Sequence, residues 1–250
     1  MTILPDGQDE ARRIIEAASQ RDVILRALGG LAVALHSPSA THRGLARPYP
    51  DLDFVSGDHR GYRVEPVLVD LGYEPNRSFN LYNGDRRLLF LDIGNARQVD
   101  VFLGMFRMCH VLPVTERLAT EPWTLPLAEL LLTKLQIVEM NEKDTRDVVA
   151  LMLDHPLGGQ DEETINLLRL QELCGNDWGL WKTVDLSLDK VAEAVTGLDL
   201  DAVERRTVSD RIEELRRSLE EAPKSIAWRL RARVGERVRW YEVPEEVRRR

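Results

Sequence analysis

Residues 86–106 read RRLLFLDIGNARQVDVFLGMF, two apolar runs of strand length on either side of Gly94 and Asn95. A Gly-Asn pair between β-prone runs supplies the positive-φ backbone of a tight turn, so this stretch is expected to form a hairpin. A hairpin commits the surrounding chain to a sheet, because two strands alone are only marginally stable in water. Upstream segments supply further members. VILRALGG reads as a short apolar strand stopped by Gly29 and Gly30, and DLDFV (51–55) as another strand. Helices are expected in GQDEARRIIEAASQRD, in LAVALHSP from the glycines to Pro38, and in HRGYRVEPVLVDLGY up to Gly72. The first half is therefore mixed α/β, with SATHRGLARPYP as a polar loop between strand-bearing segments.

After Pro122 the texture changes. TLPLAELLLTKLQIVEMNEKDTRDVVALMLDH carries helical periodicity, with Thr124 as expected N-cap and Pro156 as terminator. Further helical patterns follow at 161–174, 187–197, 200–220 and 225–238. The expected fold class is an α/β (α+β) mixed-sheet domain over residues 1–121, followed by a helical domain over 122–250.

Composition excludes several classes. With 250 residues, 43% hydrophobic and 30% charged, the chain suits a globular protein rather than a disordered or fibrous one. LPLAELLL is interrupted by Glu129 and no apolar run is long enough for a membrane helix, so no membrane partner is expected. The amino terminus lacks the apolar core of a secretion signal, which makes the cytoplasm the expected location. Cys109 and Cys174 form neither a disulfide framework nor a closely spaced metal pair and read as core thiols. The net charge of −8 is uneven: residues 224–250 hold nine Lys or Arg against four Glu, leaving −13 for residues 1–223. That basic segment has two readings, contact with phosphate backbones or the solvated face of an amphipathic helix.

The chemistry concentrates in the strands. Asp51 and Asp53 stand two apart in RPYPDLDFV and project to one side if the segment is extended, with Leu52 toward the core. Carboxylates so close repel unless a cation lies between them, and hard oxygen donors suit Mg²⁺ or Mn²⁺. The alternative is an ordinary polar strand end. Asp100 is the acidic residue inside VDVF, where a bare charge is costly without a partner. Beside DLDFV it would complete a three-aspartate cluster holding two metals; the alternative is a solvent-facing aspartate. Asp92 competes for the role, but its place at the turn has a local explanation. Gly29 and Gly30 at a strand-to-helix junction allow a phosphate to approach backbone N–H groups.

Taken together, ALGGLAVAL, PDLDF and QVDVF resemble the nucleotidyltransferase superfamily related to DNA polymerase beta, closest to the AbiEii-like abortive-infection toxins. The likeness extends into TKLQIVEMNEKDTRDVVALM, which matches a family lysine followed by K-D-x-x-D, and it covers roughly residues 24–153. The resemblance implies a metal-dependent transfer of a nucleoside monophosphate from an NTP such as ATP. Asp51, Asp53 and Asp100 would be the metal ligands, with Mg²⁺ or Mn²⁺ as cofactor. Gly29 and Gly30 would hold the nucleotide phosphates, Lys134 would contact the triphosphate, and Asp144 or Asp147 would be the helical aspartate needed for activity. It also implies a tRNA end or other RNA as acceptor and an antitoxin protein as partner.

The chain departs from the superfamily in having Gly-Gly for the common Gly-Ser, a change shared with the toxin relatives. Its loop from Gly30 to Asp51 is longer and holds His42, Arg43 and Arg47, residues suited to acceptor specificity. A small-molecule or protein hydroxyl is the alternative acceptor, and a non-catalytic nucleotide-binding module the alternative to an enzyme. Arg77, Arg86 and Arg87 are read either as phosphate contacts or as a solvated hairpin edge. His36, His59, His110 and His155 lack metal-ligand spacing, and Trp178 and Trp181 are read chiefly as helical packing.

Overall fold

The computed structural model describes residues 3–42 and 44–244; Arg43 and the last six residues of the basic segment lie outside it. Within it the chain packs as two compact units. Unit 1 comprises residues 3–36, 47–107 and 112–126, and unit 2 the remainder. The helical texture that begins at residue 122 in the sequence thus becomes separate packing from Leu127 onward, and two short excursions, 37–46 and 108–111, also join the helical unit.

Unit 1 begins with α1 (Gly7–Ser19), capped by Asp6, whose carboxylate accepts from the N–H groups of Gln8 and Asp9. Then come β1 (Leu25–Leu28), α2 (Gly29–His36), β2 (Leu52–Ser56), α3 (Val64–Asp70), β3 (Glu74–Pro75), α4 (Arg77–Asn83), β4 (Arg87–Asp92) and β5 (Arg97–Leu103). The five strands form one mixed sheet in the order β1-β2-β5-β4-β3. β2 and β5 are parallel at its centre, while β1 pairs with β2, β4 with β5, and β3 with β4 antiparallel. Parallel pairing needs a long crossover, and α3 and α4 lie in that connection. The hairpin expected around Gly94-Asn95 is β4–β5, joining Asp92 to Arg97. Past β1 the sheet is extended by residues 123–125, where Ala27 N–H donates to Trp123 O at 2.8 Å and Leu125 N–H to Ala27 O at 3.0 Å.

Strand alternation divides the sheet into two faces. Leu52, Phe54, Val99, Val101, Leu88 and Phe90 fill the core. The opposite face carries Asp53, Asp100, Phe102 and Arg87. A buried network anchors the amino terminus: Glu10 accepts from Arg13 Nε and Nη2, at 2.7 and 2.6 Å, and from the Tyr73 hydroxyl.

Two short strands, β6 (Phe106–Arg107) and β7 (Val111–Leu112), precede unit 2's helices. The single helix expected over 124–155 is two, α5 (Leu127–Leu135) and α6 (Glu142–Asp154). Asn141 ends the run by capping α6, its side chain accepting from Lys143 and Asp144 N–H while Asp144 reaches back to the cap. Thr124 caps nothing; its hydroxyl lies 2.5 Å from His36 Nε2 within unit 1. A parallel pair, β8 (Leu157–Gly158) and β9 (Ile165–Asn166), precedes α7 (Leu167–Asn176). The helical pattern at 161–174 therefore begins later than expected. α8 (Trp178–Val195), α9 (Ala202–Glu221) and α10 (Ile226–Val234) complete the unit. Val208, Ile212, Leu215 and Leu219 form the buried stripe of α9 at helical spacing. Trp178 and Trp181 pack edge-on against Trp240 and Trp228, in keeping with the packing role. Cys109 and Cys174 are buried free thiols.

The polar loop 37–46 is fastened within unit 2. Ser39 N–H donates to Asp154 at 2.9 Å, Arg146 donates to Ala46 O at 3.1 Å, and His42 stands 3.4 Å from Glu204. Part of the segment suited to acceptor specificity thus has a structural assignment, although Arg47 belongs to unit 1.

Candidate active site

Asp53 and Asp100 are Cα partners on the parallel strands β2 and β5, so their side chains leave the same face of the sheet side by side. Asp51 stands just before β2, and its charge, after burial, helps push the Asp100 carboxyl above its ordinary value. The three expected strand carboxylates therefore share one end of one sheet face.

Gly29 is pressed against this group. Leu28 is the register partner of Asp53, which brings the first residue of α2 over the carboxylate. Its φ is +72°, and a Cβ there would collide with Asp53 Oδ2. Glycine at this position thus meets two demands, a left-handed backbone and a close approach. Gly30 follows as the second, half-buried residue of the helix. The N-terminal end of α2 presents backbone N–H groups and a positive dipole end beside Asp53, a setting suited to negative charge.

Asp100 has only 1% of its surface exposed, and both its oxygens are engaged. Arg87 Nε and Nη2 each lie 2.7 Å from Oδ1, and Gln98 Nε2 donates to Oδ2 at 2.6 Å. Burial holds the Asp100 carboxyl above the usual range, while Arg87 and Gln98 pull it down. The Arg87 guanidinium is itself wedged, 4.9 Å from the Phe102 ring centroid and 5.7 Å from that of Phe79. Arg87 faces Phe102 across the hairpin, which puts its side chain on the aspartate face. The Arg87–Asp100 pair escaped the sequence reading, though a signal existed. Arg87 lies two residues before Leu89, the cross-strand partner of Asp100, and Gln98 two before Asp100 itself. Polar residues at those alternate positions of an apolar hairpin mark one face.

Asp92 serves the turn, as its position suggested. Its carboxylate accepts from Asn95 N–H at 3.1 Å, from Asn95 Nδ2 at 2.8 Å, and from Arg97 Nη2 at 3.0 Å.

The other three expected residues meet in unit 2. Lys134 Nζ lies 3.0 Å from Asp144 Oδ1 and 2.9 Å from Asp147 Oδ2. Burial lowers the Lys134 pKa, but Asp147 and Asp144 outweigh it and keep the ammonium more basic than an ordinary lysine. Asp144 also closes the α6 capping box, whereas Asp147 lies one turn further along the helix.

The donor set bears on the metal. Asp51 and Asp53 offer hard oxygens suited to a divalent cation. Asp100 has both oxygens engaged by nitrogen donors, Oδ1 by Arg87 and Oδ2 by Gln98. Among the described residues no group of three or more His, Cys, Asp or Glu is placed to hold a metal ion.

Among the described residues no helix is long and apolar enough to cross a membrane. The sequence matches no protein-family model and no curated protein. Among solved structures the chain is similar to an antigenic nucleotidyltransferase-like protein from Paracoccidioides brasiliensis, at 15% identity, over 88% of this chain and 96% of that one, with a TM-score of 0.39.

Proposed function

We propose that this chain is a nucleotidyltransferase that moves a nucleoside monophosphate from a nucleoside triphosphate to an acceptor hydroxyl. The observation that carries the reading is the side-by-side placement of Asp53 and Asp100 on parallel strands, with Gly29 pressed on Asp53 at the start of a helix. The backbone N–H groups at Gly29 and Gly30 receive phosphate oxygens. Asp51 and Asp53 hold Mg²⁺ or Mn²⁺, which when bound neutralises phosphate charge and makes a hydroxyl a better nucleophile. The acceptor oxygen attacks the α-phosphorus in line, the bond to the β-phosphate oxygen breaks, and pyrophosphate leaves. Lys134 belongs to the same proposal as a triphosphate contact through the resemblance of the sequence to the nucleotidyltransferases. Asp144 and Asp147 fix its ammonium in place.

Two acceptor classes are consistent with the charge distribution. The basic segment from residue 224 onward supports an RNA end, and the net −13 of residues 1–223 supports a small-molecule or protein hydroxyl. The test is incubation with each α-labelled triphosphate, Mg²⁺ and total RNA, with and without RNase. Label should reach an acceptor with the native chain and none with Asp53→Asn, whose circular dichroism should match the native protein. Full transfer by a well-folded Asp53→Asn chain rules the site out.

One observation favours a second reading, a nucleotide-binding module without turnover. Asp100 is closed off by Arg87 and Gln98 rather than open to a metal. Labelled nucleotide retained on the protein, with none transferred to any acceptor, would select it.

A further inference from the structure

The end of the sheet away from Gly29 holds a second cavity. Ser56, the last residue of β2, pairs with Leu25 on one side and with Leu103 on the other. It marks the carboxyl ends of the parallel pair, about 10 Å along the strand from Asp53. In open α/β sheets small ligands bind in the crevice outside such ends. Here an open cavity of about 600 Å³ lies within unit 1, between the turn after α1 and the loop from β2 to α3. That is a volume typical of small-molecule sites.

The loop is shaped by its own side chains. Ser56 Oγ accepts from Asp58 N–H at 3.1 Å, and the Asp58 carboxylate accepts from Arg60 N–H at 3.1 Å and Arg63 N–H at 2.8 Å. Arg63 Nη2 in turn donates to Arg21 O at 2.8 Å. The His59 ring packs on Gly104, where a Cβ would collide with it. Asp58 and Arg63 are thus committed to the fold. The side chains of His59, Arg60 and Tyr62 also line the cavity, and among the described residues they make no hydrogen bond or ion pair. Tyr62 is 74% exposed and Ile24, on the opposite side of the lining, 48%. An aromatic ring, an aliphatic wall, one unpaired guanidinium and an imidazole suit a flat aromatic molecule that carries a single anionic group. A base offers a π-face to Tyr62, and a phosphate matches the planar fork of Arg60. One unpaired guanidinium matches one phosphate, whereas a nucleic-acid strand gains its affinity from a row of them.

We infer that this cavity is a mononucleotide-binding site separate from the aspartate group, with the base between Tyr62 and Ile24 and the phosphate on Arg60 and His59. The inference does not depend on the transfer reaction, because it uses no residue of the candidate active site.

Equilibrium dialysis of the full chain against labelled AMP, GMP, CMP and UMP, with EDTA present to keep divalent ions from the aspartates, tests it. At least one of the four should bind saturably. Arg60→Gln and Tyr62→Ala should each weaken that binding about tenfold or more, while Tyr62→Phe and Asp53→Asn should leave it within about twofold of native. Arg60 and Tyr62 are exposed, so their variants should keep native circular dichroism. Absence of saturable binding for all four nucleotides overturns the inference. So does binding that survives Arg60→Gln or Tyr62→Ala, or that is lost in a folded Asp53→Asn chain. Inorganic phosphate competing as well as the nucleotide would leave no role for the base and overturn it too. A single-stranded oligonucleotide held through Arg60 and Tyr62 more tightly than any mononucleotide would replace the assigned ligand with a nucleic acid. None of these results bears on label transfer, whose own test stands apart.

Discussion

Lys134 and Asp100 show how the same cost, burial of charge, is met in two ways. Lys134 is 8% exposed and shared between two carboxylates. Removing one member of a buried ion group leaves its partners uncompensated, typically at about 3–5 kcal/mol. Lys134→Met should therefore lower stability in urea by about that amount, and adding Asp147→Asn should recover part of it; an unchanged unfolding midpoint would contradict the buried triad. Because the folded pKa of Lys134 is raised, its contribution is complete below the ordinary value of 10.5 and fades only as pH rises through the folded value. The deficit of Lys134→Met should accordingly show no lysine titration between pH 5 and pH 9. Asp100 behaves differently. Its folded pKa is raised above 3.8, so the folded state favours the protonated form, and what this contributes is complete at acid pH and lost as pH climbs through the folded value. Arg87 opposes the shift, so Arg87→Gln should enlarge the loss. The difference in urea midpoint between Arg87→Gln and the native chain should be small near pH 4 and grow toward pH 7. A difference that stays flat over this range would mean that the guanidinium does not stabilise the ionised carboxylate.

At the scale of elements, the junction from β1 to α2 carries the tightest constraint. Gly29 has φ +72° and no room for a methyl group beside Asp53. The left-handed backbone alone costs a non-glycine residue roughly 1–2 kcal/mol, and the collision adds to it. Gly29→Ala should destabilise the chain by at least that amount and displace the Asp53 side chain, whereas Gly30→Ala, inside a regular helix, should be mild; equal melting temperatures for the two variants would refute the packing argument. Much of this was legible in the sequence. The Gly94-Asn95 hairpin, the glycine pair opening a helix and the DLDFV strand follow from turn chemistry and alternation, both local properties. α4 was not legible, because NRSFNLYN has no buried residue and little helical pattern. It forms because Asn76 caps it and Asn80 accepts from Leu89 N–H at 2.7 Å on the neighbouring strand, a contact made only after the sheet assembles. The break between α5 and α6 was written in the sequence as the Asn141–Asp144 box but overridden by an apolar periodicity that runs through it. The Arg87–Asp100 pair was hidden for a third reason: strand register, which sequence spacing alone does not fix, decides which polar residues meet.

Charge is the property of the whole molecule that bears most directly on the acceptor. The chain is net negative, and a polyanion is repelled except where positive charge gathers. In the described part of the basic segment, Arg229, Arg233, Arg237 and Arg239 are exposed, while Arg231 is used internally, 4.7 Å from the Trp178 ring centroid and bonded to Gly235 O at 2.7 Å. Arg229, Arg233 and Arg237 are thus available to phosphates at little cost to the fold, and Arg239 gives up only a contact 5.7 Å from the Tyr241 ring centroid, which separates electrostatic from structural effects. RNA affinity, measured as a function of salt, should fall steeply for the native chain, because each phosphate neutralised on a single strand releases counterions and adds about 0.7 to the slope of log affinity against log salt. Replacing Arg229, Arg233, Arg237 and Arg239 by Gln should shrink that slope by about 0.7 for each arginine that meets a phosphate, with thermal stability lowered only slightly, by the loss of the Arg239–Tyr241 contact. Transfer of label to a small-molecule or protein acceptor should be indifferent to the same four changes. An RNA-binding slope that survives them intact would place the nucleic-acid contacts elsewhere on an otherwise acidic surface, and loss of transfer to every acceptor would tie the arginines to the triphosphate rather than to RNA.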